Sequence, residues 1–229
     1  MIAPDCPHGS AAVSRVRDVV GRLAPGAPVE ELRVEGADEA LRLGMPGSPT
    51  VRVDGEDLEG EDAGPPGLAC RRYDGSGVPP GWLIEAAVLR SLRPRHVLFL
   101  CVANSARSQM AEGIARALAP PGVRVSSAGS APGGVRPEAV RALGEIGIDI
   151  SGHRSKGLGE VEGEVDAVIT LCAEEVCPVW LAPSRRLHWG LPDPAAVEGD
   201  EGQRTEAFRR VRDELLRRVR VLFRDPARD

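Results

Sequence analysis

The stretch His96-Val97-Leu98-Phe99-Leu100-Cys101-Val102-Ala103-Asn104-Ser105-Ala106-Arg107-Ser108 decides the fold of this chain. Val97 to Leu100 form a short apolar run with strand character, and it passes without a long connection into an amphipathic segment that begins near Ser108. A loop between a strand and a helix N-terminus is an anion cradle: the first helical turn leaves N–H groups unpaired, and the helix dipole adds positive potential. A cysteine in such a field is driven toward thiolate. Arg107 brings a planar fork of donors suited to an oxyanion, and Ser108 is placed to hydrogen-bond the sulfur of Cys101. The substrate cradle is therefore expected to be Val102, Ala103, Asn104, Ser105, Ala106 and Ser108, with Cys101 as nucleophile and Arg107 as clamp.

Working outward, strand and helix patterns alternate: strand 96–100, helix 108–118, strand 123–127, helix 137–146, strand 165–171, strand 185–188 and helix 203–223. This rhythm predicts an α/β fold with a doubly wound parallel sheet, whose ligands lie beyond the carboxyl ends of the strands. Arg93-Pro94-Arg95 marks a boundary, because the residue before a proline is pushed out of helix. Domains are expected at 1–92 and 96–224, with a linker at 93–95 and a tail at 225–229.

In the first segment, a helix is expected over 11–23 behind Ser10 as N-cap, strand character at Val34 and 50–53, and a hairpin at Asp54-Gly55. A further helix is expected over 81–92, and the acidic, turn-rich stretch 55–67 reads as a solvated loop.

Composition narrows the function classes. The 229 residues carry 29 basic and 34 acidic side chains, and aromatics make up only 3%. Segment 1–92 is net acidic and 93–229 nearly balanced. With no basic stripe, nothing supports nucleic-acid binding. The longest apolar run, near Val97 to Val102, is far below the ~18 residues of a membrane span. A start without a basic and apolar leader fits the cytoplasm. Five cysteines (Cys6, Cys70, Cys101, Cys172 and Cys177) then read as catalytic or redox thiols rather than a disulfide framework.

From about His96 to Phe223 the sequence resembles the low-molecular-weight phosphotyrosine phosphatase fold and, within it, the thioredoxin-coupled arsenate reductases. The resemblance rests on the Cys101 loop with Gln109-Met110-Ala111-Glu112, on Ser127-Ala128-Gly129, and on Ile150-Ser151-Gly152-His153-Arg154-Ser155-Lys156. Thr170-Leu171-Cys172, Cys177-Pro178 and His188-Trp189-Gly190-Leu191-Pro192-Asp193-Pro194-Ala195 complete it. It implies that Cys101 attacks arsenate, with Arg107 and the loop amides stabilising charge and Asp193 protonating the departing oxygen. Cys172 then attacks Cys101 and expels arsenite, and Cys177 moves the disulfide outward to 172–177 for reduction by thioredoxin, with NADPH as the electron source and no bound cofactor.

Two rival functions share parts of this machinery. A phosphatase acting on phosphotyrosine or another phosphomonoester would use Cys101, Arg107 and Asp193, and a non-catalytic arsenite-binding protein would use Cys101, Cys172 and Cys177. A zinc site from Cys172, Cys177 and His188 lacks the usual four-ligand spacing. In some reductases of this type a potassium ion sits beside the cradle, held partly by side-chain oxygens after the Ile-Ser-x-His segment; the matching positions here are Arg154 and Lys156, so one of these cations is expected to replace its charge, while Glu112 and Ser127 match the rest of the ion-site pattern.

Asp5-Cys6-Pro7-His8-Gly9-Ser10 and Gly47-Ser48-Pro49-Thr50 resemble a thioredoxin-like fold, with Cys6 at the active helix and Pro49 as the cis-proline. Gly9 stands where the second cysteine of Cys-x-x-Cys would be. Either Cys70 partners Cys6, or Cys6 acts as a single thiol accepting the disulfide from 172–177, or the module serves docking.

Overall fold

The computed structural model describes residues 1–173 and 178–224, apart from the side chains of residues 61 and 62. The chain divides into two compact units, Met1–Leu92 and a second beginning at Arg93.

In the first unit, helix α1 (Gly9–Leu23) buries Ala12, Val19 and Leu23 at helical spacing. Its N-cap is His8 without a side-chain bond, so the expected cap at Ser10 is corrected: Ser10 already lies inside the first turn. A short helix α2 (Ala37–Arg42) follows, and Ala40 packs with Val34 and Met45. Strands β1 (Pro46–Ser48) and β4 (Gly67–Cys70) pair in parallel, and β2 (Arg52–Val53) and β3 (Glu56–Asp57) form an antiparallel hairpin. Its turn is Asp54-Gly55, both at positive φ. Helix α3 (Gly81–Ser91) packs on α1. The strand expected over 50–53 is shorter because Thr50 pairs instead with Met1, giving and receiving one backbone bond each. Near Val34 there is only an isolated bridge, Ile2 with Arg33.

The acidic stretch 55–67 is not simply a solvated loop. Asp57 and Glu59 reach inward to Arg71, whose side chain is 4% exposed; Asp57 accepts from Nη1 and Nη2 at 2.7 and 2.6 Å, and Glu59 Oε2 accepts from Nη2 at 2.7 Å and from Nε at 3.2 Å. Thr50 Oγ1 accepts from the same group at 3.2 Å, and the Tyr73 ring lies 4.5 Å from its centre. Burial pulls against the charge, but the Asp57 and Glu59 bonds hold the Arg71 pKa above its ordinary value.

In the second unit, β5 (His96–Cys101) is buried along its whole length. Helix α4 (Arg107–Leu118), β6 (Arg124–Gly129), helix α5 (Pro137–Gly144), β7 (Ala167–Cys172), β8 (Arg185–Leu191) and helix α6 (Glu201–Phe223) follow. The sheet order is β6-β5-β7-β8, every pairing parallel. Helices α4, α5 and α6 pack on one another. Leu98, Leu100, Ala128, Val165 and Val168 form an apolar cluster with Leu158, Val161 and Trp180. The chain leaves β5 toward β6 on one side and returns to β7 on the other, so the carboxyl end of β5 is the point where the strand order reverses. Cys101 stands there. Among the described residues no helix is long and apolar enough to cross a membrane.

Candidate active site

The loop from Cys101 to Arg107 is shaped from outside. Each carbonyl from 102 to 106 accepts a bond: Val102 from Ala131 N, Ala103 from Gly133 N, Asn104 from Ser155 Oγ and Gln109 Nε2, Ser105 from Arg136 N, and Ala106 from Met110 N. With the carbonyls drawn outward, the loop's peptide N–H groups are turned toward its interior, the arrangement an oxyanion requires. Asn104 sits at φ 44°, a left-handed position that asparagine tolerates better than most residues. Gly129, beside Cys101 in the sheet, comes so close to the loop that a Cβ there would lie 2.4 Å from Val102 O and 2.8 Å from Asn104 N.

The cysteine sulfur is reached by a chain of oriented hydrogen bonds. Asn104 Oδ1 accepts from Lys156 N at 2.7 Å, which fixes the amide so that Nδ2 is the donor. Nδ2 donates to Ser108 Oγ and to Ser127 Oγ, each at 2.8 Å. Ser108 Oγ in turn lies 2.9 Å from the Cys101 sulfur, a pair in which either atom can donate and in which the hydroxyl is the donor once the sulfur is a thiolate. Ser127 donates to Glu112 in turn. Glu112 has no solvent exposure and is ion-paired by Arg116 and by Lys156 Nζ, the latter at 3.1 Å. Of the two cations weighed as a replacement for an ion, Lys156 is the one on Glu112; Arg154 pairs with Glu160 at the surface.

Arg107 is 4% exposed in its side chain. Its Nη1 donates to Leu191 O at 3.0 Å, and its Nη2 lies 3.4 Å from an oxygen of Asp193. Asp193 is about one-third exposed and caps a 3-10 turn by accepting from Ala195 N at 3.1 Å. Cys172 is buried at the end of β7. Since Leu100 stands opposite Thr170, Cys101 and Cys172 lie at the same end of adjacent strands. Cys177 lies outside the described residues, so the sulfur relay and the zinc alternative are described only as far as Cys172. His188 Nδ1 lies 2.8 Å from Thr170 Oγ1, and among the described residues no three His, Cys, Asp or Glu are grouped to hold a metal.

In the first unit, Cys6 is half-buried just before α1 and Cys70 is exposed at the end of β4. The Ser48–Pro49 peptide bond is cis. Cys70 stands opposite Ser48, whose Oγ accepts from Ala3 N.

Sequence reasoning placed Gln109 and His153 within the resembling motifs and gave neither a role. Gln109 is fully buried, gives Nε2 to Asn104 and Arg154 oxygens, and takes Nδ1–H of His153 on Oε1. Burial holds the His153 pKa below its ordinary value, and Arg116 and Lys156 work in the same direction against Glu112. A polar side chain on the inward stripe of a helix was the signal for Gln109. The Leu191 carbonyl that holds Arg107 leaves no mark in a sequence.

The low molecular weight phosphotyrosine protein phosphatase family matches residues 96–229. An arsenate reductase of Halalkalibacterium halodurans is 45% identical over 128 residues, spanning 55% of this chain and 92% of that protein. One of Bacillus subtilis is 42% identical over 127 residues, 54% of this chain and 91% of that protein. A solved structure described as an arsenate reductase in the phosphate binding state shares 38% identity over 56% of this chain and 96% of its own, with a TM-score of 0.48. By the match that begins at the Cys101 strand and takes in the cradle, Cys172 and Asp193, this chain belongs to the low molecular weight phosphotyrosine protein phosphatase family.

Proposed function

We propose that the chain is an arsenate reductase. The observation that carries the reading is the pairing of an oxyanion cradle around Cys101 with a second buried thiol, Cys172, at the end of the neighbouring strand. The similarity to proteins named arsenate reductase over nine-tenths of their length supports it.

In this reading the Cys101 sulfur attacks arsenic and an oxygen leaves as water, protonated by Asp193, while Arg107 and the loop amides hold the remaining oxyanion charge. Cys172 attacks the Cys101 sulfur; the electron pair of the sulfur–arsenic bond stays with arsenic, which departs as arsenite, and a 101–172 disulfide forms. Cys177 attacks Cys172, restoring the Cys101 thiol and leaving a 172–177 disulfide. A thioredoxin-type dithiol, recharged by NADPH through its own reductase, reduces that disulfide. Such a cycle needs a reducing compartment, and the cytoplasm suits it.

The finer domain reading, 1–92 as a thioredoxin-like module joined to 96–224, is supported by Cys6 just before α1 and by the cis Ser48–Pro49 bond. In it, Cys6 either takes up the disulfide or the module docks a donor. Phosphomonoester hydrolysis through the same Cys101, Arg107 and Asp193 is the second reading, favoured by the shared cradle.

The test is NADPH consumption by the purified protein with thioredoxin and its reductase, with and without arsenate, beside Cys172→Ser. Arsenate-dependent oxidation lost in the variant is expected. Absence of that signal, with aryl phosphate hydrolysis intact in the variant, would establish the phosphatase reading instead.

A further inference from the structure

Close to the second thiol stands an imidazole that the proposed cycle does not use. His188 of β8 is exposed, and it faces Thr170 of β7 in the parallel pairing. Thr170 Oγ1 carries one proton and donates it to Leu187 O at 3.3 Å. A carbonyl can only accept, so His188 Nδ1, 2.8 Å from the same hydroxyl oxygen, is the donor of the second bond. In the neutral ring the proton is therefore kept on Nδ1, and Nε2 is left with its lone pair. Among the described residues no group hydrogen-bonds Nε2.

The place of Nε2 follows from a glycine. The pairing of β7 with β8 shifts between Thr170, opposite His188, and Cys172, opposite Leu191, so that two steps on β7 match three on β8. Gly190 lies within that shift, and the His188 ring folds back over it. A Cβ on Gly190 would lie 3.0 Å from Nε2 and 3.6 Å from the Cα of Ala173. The nitrogen with the lone pair thus borders the space between Gly190 and the residue that directly follows Cys172. On β7, Thr170 and Cys172 are two residues apart, so alternation sends both side chains to the face on which the ring lies.

The chemistry at this place needs a proton acceptor. Cys101 has the cradle amides and the start of α4 to favour its thiolate, whereas Cys172 is 1% exposed at the end of a strand. To attack, its thiol has to give up a proton, because the thiolate is the nucleophile.

We propose that His188 is the base for that step, an inference that rests on the reductase reading. Nε2 takes the Cys172 proton, directly or through one water. The Cys172 sulfur forms its bond to the Cys101 sulfur, the electron pair of the breaking sulfur–arsenic bond stays with arsenic, and arsenite leaves. The imidazolium then returns its proton to solvent, to which the side chain is open. Thr170 is a positioning residue: its hydroxyl holds the ring in the tautomer and the orientation that present Nε2. Labour is divided accordingly, with Cys101, Arg107 and Asp193 acting at arsenic and its oxygens and His188 serving the sulfur exchange alone.

The experiment uses the full chain carrying Cys177→Ser, which stops the relay at the 101–172 disulfide, so that each chain releases one arsenite. Arsenite is followed after mixing with excess arsenate. With His188→Gln added, the single-turnover rate should fall about 10²-fold, while the competitive inhibition constant of phosphate, which reports the cradle, stays within about twofold. With His188→Gly instead, free imidazole should raise the rate at least ~10-fold and saturably, because what is missing is a base and not a packing contact. An unchanged rate in His188→Gln, slow release accompanied by weakened phosphate binding, or a His188→Gly chain that imidazole does not rescue would each overturn the proposal. A parent that releases no arsenite removes the reductase reading and the inference together; an active parent beside an equally active His188→Gln removes the inference alone.

Discussion

Two places in this chain put a cysteine and an arginine together, and they use the arginine in opposite ways. In the first unit Cys70 directly precedes Arg71, and the guanidinium is turned inward onto Asp57, Glu59, Thr50 and the Tyr73 ring. In the second unit Arg107 follows Cys101 by six residues; it is anchored through a carbonyl at Leu191, and its carboxylate, Asp193, stands off at 3.4 Å. One cation is spent on structure, with tight carboxylates at 2.6 and 2.7 Å. The other starts helix α4 directly after the Cys101 loop, with Asp193 at 3.4 Å rather than in tight contact. Residue type alone does not separate these two arginines; the distance to the carboxylate beside each does.

Three measurements sharpen this contrast. The largest effect is expected for Arg71→Met, which leaves Asp57 and Glu59 facing each other without their cation. Removing one partner of a buried ion pair costs about 3–5 kcal/mol. Chemical denaturation followed by amide exchange should show α1 and α3 losing protection while the strands around Cys101 keep theirs; simultaneous loss in both units would break the division of roles. Next is Asn104→Ala, which cuts the line from Glu112 to the Cys101 sulfur while leaving Arg107 in place. We expect arsenate turnover to fall about 10²-fold, the scale of losing one oriented donor in an active site, with stability changed far less. A turnover within a factor of two of the parent would mean that Ser108 alone orients the sulfur. The smallest effect concerns ions. With Lys156 Nζ 3.1 Å from Glu112, replacing sodium by potassium at constant ionic strength should change kcat/KM by less than about twofold, because a cation already occupies the carboxylate. Strong stimulation by potassium would show that the amine leaves Glu112 in solution.

Much of the second unit is legible in the residues themselves. Strand–helix alternation places β5, α4 and β7 within a few residues of where they lie, since these elements are buried and their periods are set by the core they face. The cradle is legible for the same reason: Cys101, Arg107 and Ser108 are fixed by a short loop between two regular elements. The first unit is harder to read. Strand pairs of two to four residues carry too little period to be seen, so β1 and β4 escape notice, and β3 is signalled only by the Asp54-Gly55 turn before it. The short helix α2 escapes for the same reason. The acidic stretch 55–67 looks like a solvated loop because its partner, Arg71, is distant in sequence from Asp57. The orientation of Asn104 is illegible in principle, because it depends on the backbone N–H of Lys156, 52 residues away.

At Gly129 a hydrogen takes the place of a side chain because the Val102 carbonyl and Asn104 amide occupy the space a carbon would need. The edge strand β6 contributes no reacting group, yet its last residue sets how closely the cradle can approach it. Any side chain there meets the Val102 carbonyl and the Asn104 amide, so the strand or the loop has to shift to admit it.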